Sequence, residues 1–487
     1  MSLAAKSLSA VKSNYAGTII RIIAQFGAQI FIMRQLGPEL VGAFGYALLL
    51  HGVLALVIDQ GFGWSLIQGH FDDRKETSIV FSRIMLLSFF GMLFVFGISY
   101  PVADYLDNDL VGSVFRYSAP SYLLIGFFAI TQAKLRAELR FREIQIATTG
   151  AYLVAYPIVG VTMALAGFGV WSLVCAWYIQ GILQVIIGYY YSPNPFKLAN
   201  PFLQTKSGPL GRQVASINVL NWAVDNSSGV FVGSMGASSL GNFNAASMLA
   251  RTPVQHMVQA LQTILFSTAS AIGEDQRRIK HLYLGALAAV SLVAFPAYGY
   301  VSTHADFIIK LLFGDKWLDA AGIFSALSIG MIALAASTLS GAILTATGDQ
   351  KIVIYSQLAC LLLMVAGLSV SISISLIYIG ITVTIAYTAR LVMQLKAISF
   401  RGAIVPMEFW SAVKGSFFSA IIMAVPVSHF VESDSSMILV ESSALFLKCL
   451  IILTLLRIFP RFFFCPELVN ILVRFPVGRR FTAMLKL

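Results

Sequence analysis

Fourteen predominantly apolar stretches recur along the chain, near 14–33, 41–66, 79–102, 117–133, 146–166, 169–190, 213–233, 242–270, 282–303, 320–346, 352–371, 374–395, 411–431 and 438–457. An α-helix rises 1.5 Å per residue, so about 20 residues cross the roughly 30 Å hydrocarbon core of a bilayer. In hydrocarbon the backbone must satisfy its own polar groups, which leaves helices or closed barrels. Runs of this length select helices. The pattern therefore predicts an all-α polytopic membrane protein of about 14 transmembrane helices. The residues are 58% hydrophobic and 11% charged, where a soluble domain carries about 25% charge.

The charges orient these spans. With a cytoplasmic N-terminus, the inner segments hold 23 Lys and Arg and the outer loops hold four, Arg34, Arg116, Lys310 and Lys316. A single missed span would invert every later loop and erase this bias. Both termini are expected in the cytoplasm. The first apolar run is interrupted by Arg21, Gln25 and Gln29. It is unlike a signal-peptide core and is expected to stay attached.

The net charge of +11 sits on dispersed residues, with no basic stripe beside aromatics, so nucleic acid is excluded. The four cysteines show no C-x-x-C spacing and His256 has no second histidine at metal spacing, so no zinc site, disulfide framework or other metal is expected. No G-x-x-x-x-G-K-[ST] motif appears, and no cofactor is expected.

The turn "RQLGPELVGAFG" at 34–45 has an echo in "GSMGASSLGNF" at 233–243. Gly37, Gly42 and Phe44 correspond to Gly236, Gly241 and Phe243 with identical spacing. The first turn joins spans one and two, and the second joins spans seven and eight. Both fall outside, which predicts a duplicated lobe of six spans. The expected organisation is an N-lobe at 1–191, a Pro- and Gly-containing cytoplasmic linker at 192–212, a C-lobe at 213–397, and two further helices with a basic tail at 398–487. The tail fits attraction to anionic lipid headgroups.

"RQLGPELVGAFG", "DQGFGWSLIQ" (59–68), "LRAELRFREI" (135–144), "GFGVWSLV" (167–174) and "LFGDKW" (312–317) together resemble polysaccharide flippases. These form the polysaccharide-transporter branch of the multidrug/oligosaccharidyl-lipid/polysaccharide exporter superfamily. The resemblance implies two lobes around a central cavity that alternates between inward-open and outward-open states. It implies no covalent chemistry. The implied substrate is an undecaprenyl-diphosphate-linked oligosaccharide, turned over to the periplasmic leaflet of the inner membrane for exopolysaccharide or O-antigen synthesis. Polysaccharide polymerase and chain-length proteins are candidate partners. Related lipid II flippases use cavity arginines in spans one and eight, where this chain has Arg21 and Arg251.

Polar residues recur at helical spacing in four spans. Span one carries Asn14, Thr18, Arg21 and Gln25; span two, His51 and Asp59; span seven, Asn218, Asn221 and Asp225; span eight, Asn244, Ser247, Arg251 and Gln255. Intramembrane ionisable groups are costly without water or a partner, so these faces predict a shared wet cavity. Arg21 and Arg251 suit a diphosphate, because guanidinium offers a fixed fork of donors. Ion pairs of Arg21 with Asp59, or Arg251 with Asp225, are the structural alternative. The two aspartates could otherwise bind a coupling proton or Na⁺. The amides could bond sugar hydroxyls or neighbouring helices. Arg390, Lys414 and Lys448 are placed near span ends as snorkelling residues. The acidic outer cluster Asp104, Asp107 and Asp109 is placed in a solvated loop. Pro157, Pro253, Pro296 and Pro426 are placed within spans. A multidrug exporter of the same superfamily and a membrane glycan polymerase or ligase are the alternative functions.

Overall fold

The computed structural model describes residues 22, 24–59, 74–138, 140–193, 197–203, 208–272, 275–400, 406–426, 437–473 and 482. It is helical throughout these segments apart from turns and short connections. In chain order the helices are α1 (24–36), α2 (Pro38–Asp59), α3 (Arg74–Leu106), α4 (Asp109–Ser118), α5 (Ser121–Ala137), α6 (Phe141–Leu165), α7 (Trp171–Tyr191) and α8 (Gly208–Gly233). They continue with α9 (Ala237–Ile272), α10 (Gln276–Thr303), α11 (Ala305–Leu312), α12 (Asp319–Ala346), α13 (Gln350–Ser371), α14 (Leu376–Phe400), α15 (Pro406–Ala424) and α16 (Met437–Ile458). Two short helices follow, α17 (Pro460–Phe463) and α18 (Pro466–Leu472).

Among the described residues nine helices are long and apolar enough to cross a membrane: α2, α3, α6, α7, α10, α12, α13, α14 and α16. The long helices α8 and α9 are not among them, because they carry the polar stripes.

The order of elements repeats. Three long helices, one short helix and three long helices run from α1 to α7, and the same order runs from α8 to α14. The short members were not foreseen. The acidic cluster is not a loop: Asp104 lies in α3, and Asp109 opens α4, whose N-cap Asn108 accepts a hydrogen bond from the Val111 amide at 3.2 Å. Capping of this kind starts a helix wherever an apolar face follows, and α4 buries Val111, Val114 and Phe115. Its counterpart α11 buries Ala305 and Ile309. The expected span at 117–133 shifts accordingly to Ser121–Ala137.

Contacts gather the chain into two compact units, Met1–Asn244 with Leu312–Trp317, and Ala245–Leu311 with Leu318–Leu487. The core of the first is built on Ile32, Phe44, Ile58, Ile84, Tyr122 and Trp177. Phe44 meets the Trp177 ring edge-on at 5.6 Å. His51 sits in this core rather than on a wet face, 4.7 Å from Trp177 and 5.7 Å from Tyr122 between ring centroids.

The repeated turn is a reciprocal contact inside the first unit. Gly37 and Gly236 both have positive φ, 83° and 101°, a conformation that glycine enters without steric cost. Beyond them α2 and α9 meet backbone to backbone. A Cβ on Gly42 would overlap the Ala237 carbonyl oxygen and lie 2.6 Å from its carbon. A Cβ on Gly241 would overlap the Pro38 carbonyl oxygen and lie 2.7 Å from its carbon. Pro38 and Ala237 are equivalent positions of the repeat, as are Gly42 and Gly241.

In the second unit α12 is the most enclosed of the nine spans, and Tyr283 of α10 shares a 2.8 Å hydrogen bond with Ser340 of α12. The proline readings divide. Pro157 falls in a π-wound turn of α6, Ala155–Gly160; proline lacks an N–H and crowds the preceding turn, which a wider winding relieves. Pro253 and Pro296 lie inside α9 and α10. Pro426 lies beyond the end of α15.

Candidate functional site

The polar stripe of α9 runs half-buried through Asn244, Ser247 and Arg251 and ends in exposed Gln255, His256 and Gln259. Arg251 stands near the middle of the 36-residue helix. Its Nη2 donates a 2.8 Å hydrogen bond to the Tyr387 hydroxyl of α14, and its guanidinium carbon lies 5.9 Å from that ring's centroid. Tyr387 is fully buried, so the contact fixes the arginine against a rigid wall within the second unit. Arg251 and Gln255 share one face of α9, four residues apart.

In the first unit Asn218 and Asn221 of α8 are half-buried and Asp225 is exposed. Gln25 of α1 hydrogen-bonds Tyr152 of α6, whose ring stacks on Tyr156 at 4.6 Å. Asp225 and Gln255 lie well inside their helices yet exposed. A carboxylate or amide at such a depth in hydrocarbon is costly unless it meets water or a partner. Arg21 lies outside the described residues, as does the side chain of Asp59, which ends α2.

Sequence reading missed Tyr387 and misplaced three cations, Arg390, Lys448 and Lys414, the last of which stands in the middle of α15. Arg390 was assigned to a span end, but α14 continues to Phe400 and leaves it deep inside. Tyr387, Arg390 and Gln394 recur at steps of three and four, a signal that an extended α14 would have revealed. Lys448 does not snorkel. It is buried in α16, and its Nζ contacts the Val425 carbonyl at 2.6 Å, the Met423 carbonyl at 3.3 Å and His304 Nε2 at 3.2 Å. Glu441 joins this cluster, with Oε2 3.5 Å from His304 Nε2 and 3.4 Å from the Tyr300 hydroxyl. Lys414 lies 5.2 Å from the Phe462 ring centroid.

The first unit also holds a pocket of about 380 Å³ between α2, α3 and α8, lined by Tyr46, Leu49, Val53, Ile98, Val102 and Trp222. Its wall is apolar and offers almost nothing to a polar headgroup.

Helix order, repeat and polar faces can now be set beside known proteins. The sequence profile of the polysaccharide biosynthesis protein family matches residues 31–322. The chain belongs to that family. Among curated relatives of this polysaccharide biosynthesis protein, the lipopolysaccharide biosynthesis protein WzxC of Escherichia coli (strain K12) is 23% identical over 334 residues, covering 65% of each chain. The succinoglycan biosynthesis transport protein ExoT of Rhizobium meliloti (strain 1021) is 23% identical over 343 residues, covering 68% of this chain and 67% of that one. The match to WzxC thus spans 65% of that relative's length. Among solved structures, the lipid II flippase MurJ in an inward closed conformation superposes with a TM-score of 0.71 at 14% identity, over 91% of this chain and 99% of that one. At that identity the likeness is one of fold.

Proposed function

We propose that this protein is a flippase that carries a lipid-linked oligosaccharide across the inner membrane by alternating access, with an undecaprenyl-diphosphate carrier as the phosphate-bearing anchor. The observation that carries the reading is Arg251, a permanent cation at mid-helix, oriented by the Tyr387 hydroxyl. Guanidinium binds phosphate oxygens through paired donors and keeps its charge in a low-dielectric site. The exposed amides of α9 suit sugar hydroxyls. Arg21 is the second phosphate cation of this reading, and Asp59 and Asp225 are its coupling or pairing carboxylates. The names and fold of the relatives support transport rather than covalent chemistry. Both termini lie in the cytoplasm, and a polysaccharide polymerase and chain-length proteins take up the product outside.

The test is export in cells. Arg251→Ala is expected to abolish surface polysaccharide and to leave lipid-linked oligosaccharide on the inner leaflet, with protein abundance near normal. Arg251→Lys retains part of the activity, since lysine lacks the planar fork. Normal export by Arg251→Ala would refute the diphosphate role. Loss of the protein from the membrane would show that Arg251 is structural.

A further inference from the structure

Arg390 lies fourteen residues into the membrane span Leu376–Ser399 and nine from its end. Nine residues of helix are about 14 Å, too far for its guanidinium to reach the inner headgroups. Its Nε is buried, so the stem runs into protein and not into lipid.

The other deep cations among the described residues all have partners. Arg83 donates to the carbonyls of Pro201 and Leu203. Arg251 donates to Tyr387, Lys414 faces Phe462, and Lys448 is held by His304 and two carbonyls. Arg390 has no hydrogen bond, ion pair or ring contact with any described residue. One turn further on, Gln394 is wholly buried; its Nε2 donates to Ser356 Oγ at 3.1 Å, and its Oε1 has no partner.

An arginine cannot shed its proton, and a charge without a partner deep in a span is costly. A fold that keeps such a charge is suited to an anion from outside the protein. Tyr387 stands three residues before Arg390 on the same face, where Cβ atoms are about 5–6 Å apart. Tyr387 also holds Arg251. Tyr387 therefore stands next to both arginines, bonded to Arg251 and one helical step from Arg390.

We propose that Arg390 binds an anion together with Arg251, and that the two form a double-guanidinium site for a diphosphate within the second unit. The assignment rests on the flippase reading for the source of that diphosphate. It adds a residue of α14 to the recognition site. Two arginines match the two phosphate groups of a diphosphate, where one arginine suffices for a monoester.

The full chain in nanodiscs provides the test, with polyprenyl diphosphate and inorganic diphosphate as probes. Arg390→Gln should weaken binding by about tenfold or more, the loss expected for a hydrogen bond to a charged group. Loss for the lipid probe alone identifies a lipid-borne diphosphate, and loss for both identifies a site open to free diphosphate. The ligand-free thermal midpoint of Arg390→Gln should equal or exceed that of the parent, because an uncompensated charge has been removed. A residue that only anchors helices would lower it. Unchanged binding of both probes by Arg390→Gln, with binding lost in Arg251→Ala, overturns this inference and leaves the flippase reading intact. Failure of the parent protein to bind either probe overturns both.

Discussion

Replacing Lys448 by Met should destabilise the protein, and more so at alkaline pH. The ammonium is the only donor the structure gives the Met423 and Val425 carbonyls among the described side chains, and its charge acts on Glu441, which is 1% exposed. Leaving two carbonyls without their donor costs about 1–3 kcal/mol each, a large part of a total stability of about 5–15 kcal/mol. His304 sets the pH dependence. It sits just beyond α10, with Nδ1 3.0 Å from the Tyr300 carbonyl, which leaves Nε2 between Lys448 and Glu441. Burial first, and the Lys448 charge second, hold its pKa below the ordinary 6.5. A base depressed on folding stabilises the protein above its unfolded pKa and loses that contribution as pH falls. In Lys448→Met the second cause is gone and the pKa rises. The imidazole then takes a proton more readily and pairs with Glu441. The gap in thermal midpoint between parent and variant, measured on purified protein, should therefore be largest near pH 8 and narrow near pH 5.5. The double variant Glu441→Gln/Lys448→Met should recover at least half of the loss. A Lys448→Met midpoint equal to the parent at pH 8, or a gap independent of pH, would refute the reasoning.

Gly42→Val is expected to separate α2 from α9, since any side chain there meets the Ala237 carbonyl. The thermal midpoint of the purified protein should fall by several degrees in Gly42→Val and likewise in Gly241→Val; midpoints equal to the parent would sink the close-contact argument. For orientation, single cysteines replacing Ser207 and Ser435 should be labelled from opposite sides of the membrane, and labelling from one side would overturn the assignment of inner and outer loops.

Helices were legible wherever apolar length dictated them, because hydrocarbon leaves the backbone few choices. Each of the fourteen stretches contains a helix over its described residues. Short helices were less legible: α4 and α11 span only ten and eight residues, and their signal is a brief amphipathic face, with a cap at α4. The arginine of α9 was legible from its spacing, whereas its partner Tyr387 was not, since a tyrosine in an apolar run carries no mark of its bond. Arg390 and Lys448 were misread for a common reason. Hydropathy averages blur span ends, and a cation near a blurred end looks as if it could reach water. Only the continuation of α14 to Phe400, and the carbonyls around Lys448, place both charges inside.

The glycine contact between α2 and α9 has the form of an isologous interface. Pro38 meets Gly241 and its equivalent Ala237 meets Gly42, the pairing that two copies of one polypeptide make about a two-fold axis. Such an interface is self-complementary, so one substitution in a single-copy ancestor would have altered the joint twice. Two halves carried on one chain, each with its own sequence, lack that coupling. Each side is then free to change alone, and the polar residues can diverge, as Gln25 in the first copy and Asp225 and Arg251 in the second already have. The glycines cannot follow, because each is held by the backbone of the opposite half.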